Sequence, residues 1–220
     1  FKADLVAPLK EKHFGEIAPS IITQLLALLK TGQCTERNEY SLTTTDIQTN
    51  WKVAVDALLL AADTLRKGMG VVNYGYLPYD ALLTLLAYFF GKSQKRSLTA
   101  EQMEWVQRWF WRSSFGLRYG TGGPTRMAQD RELFDKLIEG TVAVFEPPFH
   151  LSVPDLVKVR MTQTGAAWRN AFLCLLAIRE PRHLVNNAKL DLVSSISDFL
   201  DPEKHHIFPQ AFLRDHGPPG

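Results

Sequence analysis

Apolar residues return at three- and four-residue steps along most of this chain, and that period restricts what it can fold into. Ile17, Ile21, Leu25, Leu28 and Leu29 fall on one stripe of an α-helix, because a 3.6-residue turn brings such positions to one side. Gly32 is a natural stop for that helix, since glycine accepts the left-handed backbone of a helix end. A polar stretch from Gln33 to Leu42 reads as a loop. The run Thr43-Thr44-Thr45-Asp46 then offers capping oxygens to a long helix through Trp51, Val55, Leu58, Ala62 and Leu65, closed by Gly68 and Gly70.

The same logic continues downstream. Pro78, in Leu77-Pro78-Tyr79-Asp80, suits a first helical turn and opens an apolar helix to about Phe90. Gly91 to Ser97 is a basic connector. Thr99 and Gln102 form a capping box at the head of a tryptophan-rich helix. Met103, Val106, Phe110 and Leu117 share one face of it, and Trp105, Trp109 and Arg112 a neighbouring one. That helix is expected to end near Arg118-Tyr119-Gly120, with Thr121-Gly122-Gly123-Pro124 as a breaker. Thr125 is placed to cap a further helix to Gly140. Phe145-Glu146-Pro147-Pro148 reads as loop, Ser152-Val153-Pro154 as the start of a short helix, and Ala166 to Ile178 as an apolar helix bounded by Pro181. The spacing therefore predicts a mainly α fold, a domain of about seven helices over residues 1–180.

Residues 181–220 are different in kind. The helical pattern weakens into a loop, a helix around Leu192 to Leu200 and a turn at Asp201-Pro202. His205 to Phe208 reads as a short strand ended by Pro209, with Gln210 to Arg214 starting a helix. The chain begins at Phe1 without Met and ends soon after this motif, so a piece of a longer polypeptide is expected.

Composition removes several function classes. With 25 Lys and Arg against 23 Asp and Glu, a formal charge of +2, the chain has no global basic signature for nucleic acid. No segment approaches the ~18 unbroken apolar residues of a membrane helix. Cys34 and Cys174 fit neither a zinc spacing nor a disulfide framework, which favours a reducing, cytoplasmic setting; Cys174 reads as a small buried hydrophobe.

Four features carry candidate chemistry. Gly120 to Arg126 is glycine-rich but lacks the Gly-Lys-Ser/Thr ending of a phosphate loop, follows a helix, and carries a proline where N–H donors are needed. A helix-to-helix turn accounts for it better. Trp105, Trp109, Trp111, Arg112, Arg118 and Tyr119 mix aromatic and basic groups as a base-stacking surface does, yet their helical spacing matches a buried stripe. Arg118, at a helix end, is placed to face either an anion or a buried carboxylate. His13, His150, His183 and His216 stand alone in sequence and read as surface or capping residues.

The adjacent pair His205-His206 is the fourth. A metal-assisted nuclease needs a ligand that fixes a divalent cation against the scissile phosphate, beside a base that takes a proton from water. Imidazole suits both roles. A solvent-exposed pair in a turn is the other reading of the same residues.

The surrounding pattern separates these readings. Lys204-His205-His206-Ile207-Phe208-Pro209-Gln210-Ala211-Phe212-Leu213 resembles the first motif of the HNH-type nuclease domain at the C-terminus of GmrSD-like proteins, which are bacterial modification-dependent restriction and phage-defence proteins. Thr49-Asn50-Trp51, Leu77-Pro78-Tyr79, and Trp109-Phe110-Trp111-Arg112-Ser113-Ser114 with Arg118-Tyr119 resemble the helical segment joining that family's two catalytic parts. The resemblance implies a ββα-metal unit begun within 181–220 and incomplete there. It places His206 as general base and His205 as metal ligand, with Mg2+ or Mn2+ in the complete domain and DNA as substrate. It also implies a partner in the N-terminal nucleotide-hydrolysing domain of the same polypeptide, whose Asp-Gly-Gln-Gln-Arg signature does not occur in this chain. The expectation is thus a fragment of a metal-dependent DNA endonuclease, inactive by itself, whose helical domain couples the two catalytic parts. The competing expectation is a non-enzymatic helical interaction or scaffold module.

Overall fold

The computed structural model describes residues 2–149, 151–154, 166–183 and 185–192. The chain divides into two units, Phe1–Pro181 and Arg182–Gly220. Among the described residues it is mainly helical, with eight α-helices, one isolated antiparallel bridge between Arg182 and Lys189, and no strand. No helix among them is long and apolar enough to cross a membrane.

The first unit opens with a π-helical turn, Lys2–Val6, that runs into α1, Ala7–Glu11. Leu5, Leu9 and Phe14 are fully buried, so this end is part of the core. Helix α2, Pro19–Thr31, buries Ile21, Leu25 and Leu28 from the expected stripe, and Gly32 caps it at φ 72°. The expected loop over 33–42 contains a short helix α3, Glu36–Tyr40, capped by the Thr35 side chain. It buries no side chain, so it leaves no apolar stripe to read.

Helix α4, Thr44–Met69, starts on a capping box between Thr43 and Asp46. Lys30 pairs with Asp46 at 2.6 Å, and this bond with those from Thr43 lowers the Asp46 carboxyl to about 2. Gly68 stays helical, contrary to the expected stop, and Met69 is the last helical residue. Gly70 then turns left-handed at φ 68°, where a Cβ would lie 2.4 Å from the Cys174 carbonyl oxygen. Both its dihedral and its surroundings require glycine.

A 3-10 turn, Tyr74–Tyr76, leads to α5, Asp80–Ser93. Pro78 lies ahead of this helix and not in its first turn, because Tyr79 takes the extended capping position. Every residue from Ala81 to Gly91 is buried. A helix apolar all round belongs in a core, and α5 packs against α2, α4 and the later α7, Gly123–Glu139.

Between them stands α6, Ala100–Phe115, begun by the Thr99–Gln102 capping box. It ends earlier than expected, at Gly116, because Leu117 flips to φ 51° and turns the chain. Leu117 accordingly leaves the apolar face and is partly exposed. Trp105 and Trp109 are core residues, and both meet Phe134 of α7 edge-on, at 5.3 and 4.9 Å between ring centroids. Residues 141–149 then run extended along α6. Trp105 Nε1 donates to the Ala143 carbonyl at 2.9 Å, Arg108 Nε donates to that of Phe145 at 3.2 Å, and the Arg112 guanidinium covers the Phe149 ring.

The last described helix of this unit is α8, Ala166–Ile178. Asn170 donates to the carbonyls of Gly75 and Leu77, Trp168 to that of Phe115, and Cys174 to that of Tyr76. Side-chain donors aimed at main-chain acceptors thus fix α8 to the turn before α5 and to the end of α6. The expected helix beyond Leu192, the turn at Asp201-Pro202, the strand at His205 to Phe208 and the helix at Gln210 lie outside the described residues.

Candidate functional site

In the second unit the described residues form a bridged turn. His183 bonds both sides of it through its backbone, its N–H donating to the Ala188 carbonyl at 2.9 Å and its carbonyl accepting from the Asn187 N–H at 2.9 Å. His183 Nδ1 accepts from the Val185 N–H at 3.2 Å, a local capping role. His205 and His206, the expected metal ligand and general base, lie outside the described residues. Among the described residues no group of three or more His, Cys, Asp or Glu is arranged to hold a metal ion. The divalent cation implied by the resemblance therefore finds no ligand set there.

The polar centre of the helical unit is a carboxylate. Asp130 of α7 is fully buried, and four donating groups close on it. Arg118 Nε lies 3.0 and 2.8 Å from its two oxygens, and Arg118 Nη2 donates to Oδ1. On Oδ2, the Tyr119 hydroxyl and Trp109 Nε1 (3.2 Å) also donate. Burial works against the Arg118 charge, and the bond and field of Asp130 outweigh it, so the guanidinium titrates above its ordinary value. Burial, reinforced by the Asp130 charge, holds the Tyr119 hydroxyl protonated well above the usual phenol range.

This arrangement settles what Arg118 faces: a buried carboxylate, not a free anion. It also settles what Asp130 does. Both of its oxygens are occupied by charged or buried donors, which leaves no lone pair positioned for a metal or a substrate proton. The cluster is a clamp joining α6, the turn after it and α7. Phe145 packs on it from the extended segment, with the Arg118 guanidinium 5.4 Å above its ring, and Tyr79 meets Tyr119 edge-on at 5.8 Å.

Two of the segments that carry the family resemblance meet here, through Tyr79 and through Trp109, Arg118 and Tyr119. The third, Thr49-Asn50-Trp51, sits apart on α4, where Asn50 donates to the Asp46 carbonyl and Trp51 Nε1 reaches Asp4 at 3.3 Å. The glycine-rich segment forms the helix-to-helix turn. Gly122 adopts φ 65° as the N-cap of α7, and Pro124 occupies its first turn. Thr125 lies inside the helix and does not cap it, because a left-handed glycine takes that place without any side-chain bond.

Asp130 itself went unread in the sequence, although a signal is present. Met127, Asp130, Phe134 and Leu137 recur at three- and four-residue steps, and all four are buried. A carboxylate inside an apolar stripe must find a cation or lose its charge.

No protein-family model matches the chain, and no solved structure gives a significant match. Among curated proteins it is similar to an uncharacterized protein of the archaeon Methanocaldococcus jannaschii, 26% identical over 146 residues. The match takes in 64% of this chain, which spans only 23% of the archaeal protein's length.

Proposed function

We propose that this chain belongs to a GmrSD-like, metal-dependent DNA endonuclease, and that its helical unit positions the catalytic parts without performing chemistry. The observation that carries this reading is the meeting of Tyr79, Trp109, Arg118 and Tyr119 around Asp130. They come from separate stretches that each resemble the family's helical segment, and they act together as architecture. Their convergence in one packed cluster supports reading these stretches as parts of a single helical scaffold. The archaeal relative's greater length leaves room for the further domains this reading requires.

In the complete protein, residues 181–220 hold a connector and begin a ββα nuclease unit. His206 takes a proton from the attacking water, and His205 contributes to holding Mg2+ or Mn2+. Such a cation, when bound, would supply Lewis-acid stabilisation of the charge that develops on the scissile phosphate. The N-terminal nucleotide-hydrolysing domain of the same polypeptide gates the cut.

The test uses the full-length protein and a DNA substrate that it cleaves with Mg2+ or Mn2+. His206→Ala is expected to slow cleavage by about 100-fold or more, the ordinary contribution of a general base, with the far-UV circular dichroism spectrum and DNA binding unchanged. Cleavage by that variant at the parental rate would sink the assignment. A full-length protein that cuts no DNA with either cation would favour the interaction module.

A further inference from the structure

Between Asp80 and Glu101 the sequence holds no acidic residue, yet it holds Lys92, Lys95 and Arg96. All three side chains are exposed at the join between α5 and α6, and none makes an ion pair or a side-chain hydrogen bond among the described residues. The backbone that carries them is fixed. Gln94 turns left-handed at φ 55°, its N–H donates to Phe90 at 3.0 Å, and its side-chain amide donates to Gly91. The Lys95 N–H donates to Ser93 Oγ at 3.2 Å, and the Thr99–Gln102 capping box pins the far side. Gly91, just before, is seated against Leu29 of α2 and Ala57 of α4.

Gln102 also donates to the Leu137 carbonyl, which brings the end of α7 beside this connector. The exposed charges at this end are Lys92, Lys95, Arg96 and Lys136 against Glu101, Glu104 and Glu139, and the three cations of the connector follow one another with no acidic residue among them. Three cations within five residues, carried on an ordered turn, need no backbone ordering to meet a polyanion, so only side-chain rotamer freedom is lost. The polymer that matches them best carries closely spaced negative charge, and duplex DNA carries one charge per ~1.7 Å of helix axis.

We infer that Lys92, Lys95 and Arg96 form a contact surface for the phosphate backbone of duplex DNA, through which the helical unit grips the substrate away from the cutting site. This deepens the endonuclease reading and rests on it for the choice of DNA as the polyanion. Backbone contacts carry no sequence information, so the surface contributes affinity and orientation, not target choice.

The experiment measures binding of the full-length protein to a fluorescein-labelled duplex of about 30 base pairs, in EDTA, by anisotropy over about 50–200 mM KCl. The variant Lys92→Ala/Lys95→Ala/Arg96→Ala is compared with a control of equal charge change, Lys10→Ala/Lys52→Ala/Lys67→Ala, whose targets are exposed elsewhere. Loss of three phosphate contacts is expected to flatten the slope of log K against log salt by about 2.7, while the control keeps the parental slope. An unchanged slope in the connector variant, an equal change in the control, or a parent that does not bind the duplex at low salt would overturn the inference. A poly-glutamate peptide that displaces the duplex and loses its own binding in the connector variant would reassign the surface to an acidic protein segment, which also overturns it. A fully active His206→Ala protein would remove the nuclease reading while leaving a flattened slope standing, so the two failures are distinguishable.

Discussion

Replacing Asp130 by alanine removes the acceptor on which Arg118, Tyr119 and Trp109 converge. The dominant cost is the guanidinium left behind. The Arg118 side chain is only 13% exposed, and breaking a buried pair from one side costs about 3–5 kcal/mol because the remaining charge stays desolvated. The Tyr119 hydroxyl and Trp109 indole also lose an acceptor, at about 1–3 kcal/mol for a fully orphaned donor. Trp109 Nε1 can still donate to the Tyr119 hydroxyl oxygen, 3.1 Å away, so only the Tyr119 hydroxyl proton loses its acceptor outright. These terms overlap, and the expected destabilisation is on the order of 4–6 kcal/mol. Against a typical total of about 5–15 kcal/mol, Asp130→Ala should leave the chain close to unfolding. Urea denaturation of the full chain, followed by tryptophan fluorescence and far-UV circular dichroism, measures it. The companion variant Arg118→Met/Asp130→Leu replaces the pair by apolar groups and should recover most of the loss. A loss below about 1 kcal/mol for Asp130→Ala, or a double variant no better than the single one, would refute the clamp.

Two further perturbations follow from the same packing. Gly70→Ala meets both a left-handed dihedral and the Cys174 carbonyl oxygen at 2.4 Å, whereas Gly140→Ala meets φ 75° with nothing within 4 Å. Chemical denaturation should show about 2–4 kcal/mol lost at Gly70 and about 1 kcal/mol at Gly140, and equal losses would show that the close approach is unimportant. Burial pushes the Cys34 thiol up to about 11 and the Cys174 thiol to about 12, from an ordinary value of 9.0. Both folded-state values are raised, so their contribution to stability is complete below pH 9 and lost as the pH rises through about 11 and 12. Neither thiol should react with a disulfide reagent near pH 8 until denaturant is added, and the alkaline loss of stability should be smaller in Cys34→Ala/Cys174→Ala; rapid labelling of the folded protein would contradict this.

Much of the helical unit was legible because its signals are local. The capping boxes at Thr43 and Thr99 and the stops at Gly32 and Gly140 depend on a few neighbouring residues, and they sit where the sequence placed them. What escaped depends on distant partners or on a single dihedral. Helix α3 is polar and short, so periodicity gives it no support. Leu117 fits the apolar stripe of α6 by spacing, yet one left-handed residue removes it. Arg118 reads in sequence as a charge placed to face an anion or a carboxylate, but Asp130 is twelve positions away and only the fold brings the two together. The segment after α7 is held through the Ala143 and Phe145 carbonyl oxygens and through the Phe145 and Phe149 rings, all on partners distant in sequence, which no local pattern encodes. Of the candidate site, the histidine motif is explicit in sequence and lies outside the described residues.

The burial of α5 on every side has a consequence for how the helical unit can be divided. A helix with no polar face has no stable existence in water once a neighbour is removed, because each missing partner bares a full apolar stripe. Helices α2, α4 and α7 are therefore prerequisites for α5, and α5 for them. The unit should melt in one transition, and its helices are not interchangeable parts. Deleting α7 or α2 should yield an aggregating chain instead of a smaller folded one.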